Sequence, residues 1–312
     1  MRRARRLSRR EFTALVAAGA AAAARPVVAG RRQASLTVED VIERIRANIG
    51  VPWNGETVDT LKAGDPAMRV TGIVTTALPT LAVLRQAAEA GANLVIASQP
   101  AFYSRADART PPAGRGAGPG GRGAGAAPPA PDPIFDAKNA FVDGRQMAIF
   151  RLSDHWQARR PDPFAAAFAS TCGWTADWGD DIARCAIAPV TLRELATEVK
   201  RRLGVRGGVR VVGRPDERIT SVALLPGSTP IQASVAAMAQ ADVIVAGEVR
   251  EWESTEYVRD AVHAGHGKGL VLVGRIVSEE PGMRALADWL APLVDGVAVR
   301  HISAGDPYWR PA

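Results

Sequence analysis

Cysteine and histidine are scarce in this sequence, with 2 and 4 residues respectively. The two cysteines, Cys172 and Cys185, form no CxxC pair and have no Cys/His zinc spacing around them. Their pairing stays open: in an oxidising compartment they can close a short loop, and otherwise they are two small buried side chains. Aromatic residues make up only 5% of the chain. There is no GxSxG elbow and no HExxH motif. Gly265-His266-Gly267-Lys268-Gly269 lacks the first glycine and the Ser/Thr of a phosphate loop. Together these absences argue against the zinc-ribbon, serine-hydrolase, zincin and P-loop classes. Past the first thirty residues, no apolar run is long enough to span a bilayer.

Net charge is also nearly absent once the start of the chain is set aside. The whole chain carries +7, and residues 1–30, with seven Arg and one Glu, account for +6 of it. About +1 is left for the rest, so the sequence pI of 10.1 says little about nucleic acid. The charge belongs to a signal. Ser8-Arg9-Arg10-Glu11-Phe12 follows the twin-arginine pattern, an Ala-rich apolar stretch runs from Thr13 to Ala24, and Val27-Val28-Ala29 offers a small-residue cleavage site. The expectation is a protein that folds in the cytoplasm and crosses the membrane folded, handled by the twin-arginine export machinery, to become periplasmic or otherwise exported. An ordinary secretory signal, or a basic amphipathic start that is never cleaved, is the alternative reading.

The remaining 280 or so residues suffice for one large domain or two lobes. Residues 108–131, nearly all Gly, Pro, Ala and Arg, cannot offset their ordering entropy and read as a mobile loop. Around them strand and helix patterns alternate. Helices are expected at Thr37–Ile49, Pro79–Ala90, Asp136–Val142, Thr191–Leu203 and Ala285–Leu293. Strands are expected at Val70–Thr76, Asn93–Ala97, Met147–Leu152, Val209–Val212 and Val297–Ile302. Thr191 with Glu194 three places on is a capping-box pattern.

An internal repeat runs without a gap at an offset of 149 residues. Val70-Thr71-Gly72-Ile73 falls on Ile219-Thr220-Ser221-Val222, and Asn93-Leu94-Val95-Ile96-Ala97 falls on Asp242-Val243-Ile244-Val245-Ala246. Each copy reads strand, helix, apolar strand, which is a parallel, doubly covered βαβ unit. The fold class expected is therefore α/β, with two similar lobes facing across a cleft. Residues 36–170 form the first and 171–312 the second, and the C-terminal strand is able to pack on the first. Ligands of such sheets sit beyond the carboxyl ends of the strands. Those ends carry Ser98-Gln99 with Tyr103, then Ser153-Asp154-His155-Trp156-Gln157, then Glu248, then Arg275 with Glu279. Gly227-Ser228-Thr229, before a helix, supplies amides and hydroxyls for an anion. His155 beside Asp154 invites an acid–base reading, with a merely orienting or solvated His as the alternative. His263, His266 and His301 fall away from the cleft.

Ala241-Asp242-Val243, Gly247-Glu248, Gly274 with Ser278-Glu279 and Pro281-Gly282, and Ala304-Gly305-Asp306-Pro307 occur in an order that resembles the Nif-three-like proteins. These are also called the type-two GTP cyclohydrolase or dinuclear-metal-centre hexameric family. The resemblance implies two similar α/β lobes, a hexamer, two divalent metal ions in the cleft, and hydrolysis of a nucleotide or phosphoester. On the family's ligand positions this chain carries Ser98, Gln99, Ser153, Gln157 and Arg275, and only Glu279 is retained. Hydroxyl and amide are weak donors to a divalent transition metal, and a guanidinium repels one. The expectation is a degenerate metal site, with no cofactor and no confident metal ligand beyond Glu279. The cleft would then bind a small anionic ligand, or the protein would act in assembly, most economically as a homo-oligomer without nucleic acid or membrane. A hydrolase with one metal or none, using His155, Asp154 and Glu279, is the alternative.

Overall fold

The structure, a computed structural model, describes residues 35–104, 107, 132–178, 182–309 and 311. The signal segment and the whole 108–131 stretch lie outside the described residues. No described helix is long and apolar enough to cross a membrane.

The first sheet is built early in the chain. Helix α1 (Val38–Asn48) starts at Thr37 with a capping box closed by Asp40, and buries Val38, Val41, Ile42 and Ile45 on one face. Then come β1 (Leu61–Ala63), β2 (Ile73–Thr76), α2 (Leu81–Glu89), β3 (Leu94–Ala97), α3 (Pro133–Gly144) and β4 (Ala148–Arg151). The sheet order is β1-β4-β3-β2-β11, where β11 (Val299–His301) returns from the end of the chain to lie parallel to β2. Strands β2, β3 and β4 are fully buried, as apolar runs covered on both faces must be.

Short helix α4 (Asp154–Ala158) and helix α5 (Pro163–Cys172) lead into the second sheet. Its elements are β5 (Ala176–Asp177), β6 (Ala183–Thr191), α6 (Leu192–Leu203), β7 (Arg210–Val212), β8 (Arg218–Thr229), α7 (Ile231–Gln240), β9 (Val243–Val249), α8 (Glu256–His263) and β10 (Gly269–Leu272). Their order is β5-β6-β8-β9-β10-β7. The expected capping box of α6 is present, with the Glu194 side chain bonded back to the Thr191 amide. Cys172 and Cys185 are buried free thiols in one apolar cluster. Burial pushes Cys172 up to about 12 and Cys185 up to about 11.

The 149-residue repeat reappears as register. Ile73 pairs with Leu94 in the first sheet, and Val222 pairs with Val243 in the second. The residue before each second strand does the same work in both copies. Asn93 Oδ1 accepts from the Thr71 amide at 2.9 Å, and Asp242 Oδ2 accepts from the Thr220 amide at 2.8 Å.

Helix α9 (Arg275–Leu290) joins the two halves, packing on β2 and β11 of one sheet and on β8 and β9 of the other. It starts ten residues before the helix the sequence suggests. Pro281-Gly282 reads as a break, yet both sit inside the helix. Tertiary packing overrides the local preference: a Cβ at Gly282 would stand 2.3 Å from Phe164 Cδ1, so the glycine lets α5 lie close against α9. The next three residues, Ala291–Leu293, tighten into a 3-10 turn.

Burial works against the charge of Asp242, but hydrogen bonds from Thr220 and Ser221 outweigh it and hold the carboxyl below its usual range. Its contribution to stability is present above the unfolded-state pKa and is lost as pH falls through the lower folded value. Asp242→Asn, which copies Asn93, should flatten the acid limb of a urea-unfolding series while folding normally. An unchanged acid limb would contradict this account.

Candidate functional site

The expected site residues gather around one carboxylate. Glu279 lies one turn into α9 and is 6% exposed. Its Oε2 accepts from Ser98 Oγ at 2.6 Å, and both carboxylate oxygens accept from Gln99 Nε2 at 2.7 Å. Arg275, one turn earlier on the same helix, places Nε 3.6 Å from Glu279 Oε1. Its Nη1 donates to Glu248 Oε1 at 3.2 Å. Gln99 and Glu248 are the same position in the two repeats, each just beyond a buried strand core, so the two copies grip successive turns of one helix.

The second copy approaches through glycine. Gly227 has φ +79, and a Cβ there would lie 3.0 Å from Glu279 Oε1. A Cβ at Gly247 would lie 2.3 Å from the Gly227 carbonyl oxygen and 2.5 Å from Ser278 Oγ. Ser278 fills that space, accepting from the Gly227 amide at 2.9 Å and donating to the Arg275 carbonyl at 2.6 Å. Ser228 and Thr229 follow on β8, where Thr229 Oγ1 donates to the Leu225 carbonyl. Burial pushes the Glu279 carboxyl up, and the bonds from Ser98 and Gln99 and the charge of Arg275 pull against it without reversing the shift.

The remaining candidates are held elsewhere. His155 Nδ1 is 2.7 Å from buried Asp59 Oδ2, and its Nε2 accepts from the Asn54 amide at 2.9 Å. Its ring stacks on Trp53 at 3.8 Å. Both ring nitrogens are thus committed. Asp154 Oδ2 accepts from Thr57 Oγ1 and the Val58 amide. Ser153 gives its amide to Asp59. Tyr103 is exposed, in the left-handed region at φ 61, with Lys138 Nζ 5.0 Å from its ring centre. His301 pairs with Glu280 at 2.9 Å on the β11 side.

Two cavities flank the Glu279 cluster. One, of about 550 Å³, brings together Asp154, Gln157, Ser228 and Thr229. The other, of about 600 Å³, is walled by Glu248, Arg275, Arg210, Tyr308 and Trp309. The C-terminal wall is fixed because Asp306 Oδ2 accepts from the Gly207 amide, and because Gly207 has no Cβ where Tyr308 Cβ comes close.

Sequence reasoning missed two buried anions. Asp59 accepts three amides at the start of α4. Asp107 accepts from the Ala101 and Phe102 amides and lies near Lys62 and Arg151 at 3.5 and 3.6 Å. Neither sits in a periodic segment, so no pattern marks it. Beside Asp107, burial brings the Lys138 ammonium down to about 8.

The chemistry of the donor set does not fit a dinuclear metal centre. A hydroxyl, an amide and a guanidinium surround Glu279, and the nearby Glu248 is bonded to the same guanidinium. Among the described residues, no three His, Cys, Asp or Glu side chains are grouped so as to hold a metal ion.

A raised carboxyl pKa favours the folded state most below the unfolded-state pKa, and that contribution is lost as pH rises through the folded value. The Glu279→Gln protein should therefore lose less stability than the unsubstituted protein as pH rises above the ordinary glutamate range of about 4.3. Identical urea-unfolding slopes for the two proteins would show that Glu279 is not raised.

A Staphylococcus aureus protein, SA1388, superposes with a TM-score of 0.66 at 16% identity, over 89% of this chain and all of that one. A Bacillus cereus protein related to NIF3 gives 0.66 at 14% identity, over 89% and 100%. Reduced HcgD from Methanocaldococcus jannaschii gives 0.57 at 12% identity, over 85% and 97%. At these identities the likeness shows the fold. No curated protein matches this chain by sequence. The family model Duf34/NIF3 (NGG1p interacting factor 3) matches residues 156–306, so the second half of this chain carries that family's sequence pattern on the fold of a protein related to NIF3.

Proposed function

We propose that this chain is an exported Duf34/NIF3 protein whose dinuclear metal site has degenerated into a carboxylate–guanidinium cluster, and that it binds a small anionic ligand. The observation that carries the reading is the saturation of Glu279 by Ser98, Gln99 and Arg275. A cation already occupies the place where the family resemblance puts a metal ligand. The ligand's place is the cavity of about 600 Å³ beside Arg275. The Arg275–Glu248 pair there is part-exposed and single-bonded, so an anion competes with Glu248 at low cost. Tyr308 and Trp309 supply apolar faces at the mouth. An assembly role as a homo-oligomer, as the family resemblance implies, is compatible with this. The hydrolase reading has less support, because His155 and Asp154 spend their polar atoms on the Asn54–Asp59 segment.

Elemental analysis of the protein from the exported fraction should find no near-stoichiometric zinc, iron or manganese. The Gln99→His, Arg275→His double variant should take up metal. Stoichiometric metal in the unsubstituted protein would sink the lost-site reading and reopen metal-dependent hydrolysis.

Export rests on Arg9 and Arg10. With both replaced by Lys, cell fractionation should find the full-length precursor retained in the cytoplasm. Undiminished export would point to an ordinary secretory signal.

A further inference from the structure

A second cationic place lies on the opposite side of α5 from the second sheet, and its chemistry is unlike that of the Arg275 cluster. A cavity of about 530 Å³ opens between the end of α4, α5 and the middle of α9. The Arg159 guanidinium carbon sits 4.9 Å from the Trp156 ring centre and 5.1 Å from that of Trp289. The two indoles engage the guanidinium by cation–π contact, which leaves its N–H groups to find acceptors. Arg159 Nη1 is buried and has no hydrogen-bond partner. Trp156 is 2% exposed, lines the same cavity, and its Nε1–H is also buried without a partner. Two buried donors without acceptors in one cavity are uncommon in a folded protein, since each forfeits its hydration.

The charges around them do not cancel. Arg159, Arg160 and Arg284 all line the cavity, against the single acid Asp288. Arg160 is committed, its Nη1 donating to the carbonyls of Ala158 and Arg159. Burial lowers the Arg159 pKa with no neighbouring carboxylate to offset it. Arg275, by contrast, touches two carboxylates.

We propose that this cavity is an oxyanion site: a phosphate or carboxylate group of a small molecule accepts hydrogen bonds from Arg159 Nη1 and Trp156 Nε1–H, with Arg284 closing the charge at the rim. The indole of Trp289, with its ring centre 5.3 Å from that of Trp156, supports the guanidinium from the same side. The site requires neither Arg275 nor Glu279, so it stands whether or not the ligand proposed for the Arg275 cavity binds.

The test follows the indole proton. In the 15N-labelled protein, the Trp156 indole N–H resonance is assigned by its loss in Trp156→Phe. It is then titrated with sodium phosphate, and separately with sodium acetate, sodium chloride holding the ionic strength constant. A saturable shift with either anion is expected, and the stronger of the two identifies the group. Arg284→Gln should weaken the midpoint several-fold, and Arg159→Gln by about tenfold or more, because a charge-assisted bond is lost. Arg275→Gln should leave the midpoint unchanged. Should Arg159→Gln fail to fold, Arg284→Gln alone decides. No saturable shift with either anion overturns the proposal, as does a midpoint that Arg284→Gln leaves where it was.

Discussion

The buried carboxylate of Glu279 is the constraint on which the two halves of the molecule agree. It sits on a helix that packs against both sheets, and both repeats reach it or its neighbour. A carboxylate this deep is expensive unless its oxygens are satisfied. Ser98 and Gln99 arrive from the first sheet, and Arg275 from one turn away. The second sheet contributes closeness instead of donors, through the glycines at 227 and 247. Removing any of these partners leaves charge uncompensated at the seam between the halves, where the structure has least freedom to relax.

That asymmetry accounts for the divergence of the two copies. Gln99 and Glu248 are equivalent in the repeat, and their strands have the same register. Yet one presents an amide to the carboxylate and the other a carboxylate to the guanidinium. Each is the complement of the α9 side chain it meets. The two equivalent positions thus meet at successive turns of one helix, one on its carboxylate and the other on its guanidinium.

Much of this was legible in the sequence. The repeat, its offset and its parallel pairing follow from apolar runs of strand length with a helix between, and the capping box at Thr191 follows from one threonine and one glutamate. The partnership of Arg275 with Glu279 follows from their spacing of four. The rest was hidden for physical reasons. Helix α9 crosses Pro281-Gly282 because packing against Phe164 outweighs local propensity, and no single-chain pattern encodes that contact. His155 next to Asp154 reads as an acid–base pair. The partner that decides its role is Asp59, ninety-six residues earlier, and only the fold brings it within 2.7 Å. Contacts of that separation leave no trace in periodicity.

The comparison of two arginines carries the argument past the family resemblance. Arg275 and Arg159 are both partly withdrawn from water, and burial lowers the pKa of Arg159. At Arg275 the protein supplies carboxylates, and the cation becomes part of the scaffold. At Arg159 it supplies two indole faces, which stabilise the cation without consuming its N–H donors. The first arrangement ties part of the guanidinium to carboxylates, and the second leaves Nη1 without an acceptor. A guanidinium resting on a pair of packed tryptophans, beside an indole N–H with nothing to bond, is built to meet an acceptor from outside the chain. At Arg275 a ligand has to displace Glu248, whereas at Arg159 it meets donors that no carboxylate holds, so the two sites differ in what remains for a ligand to do.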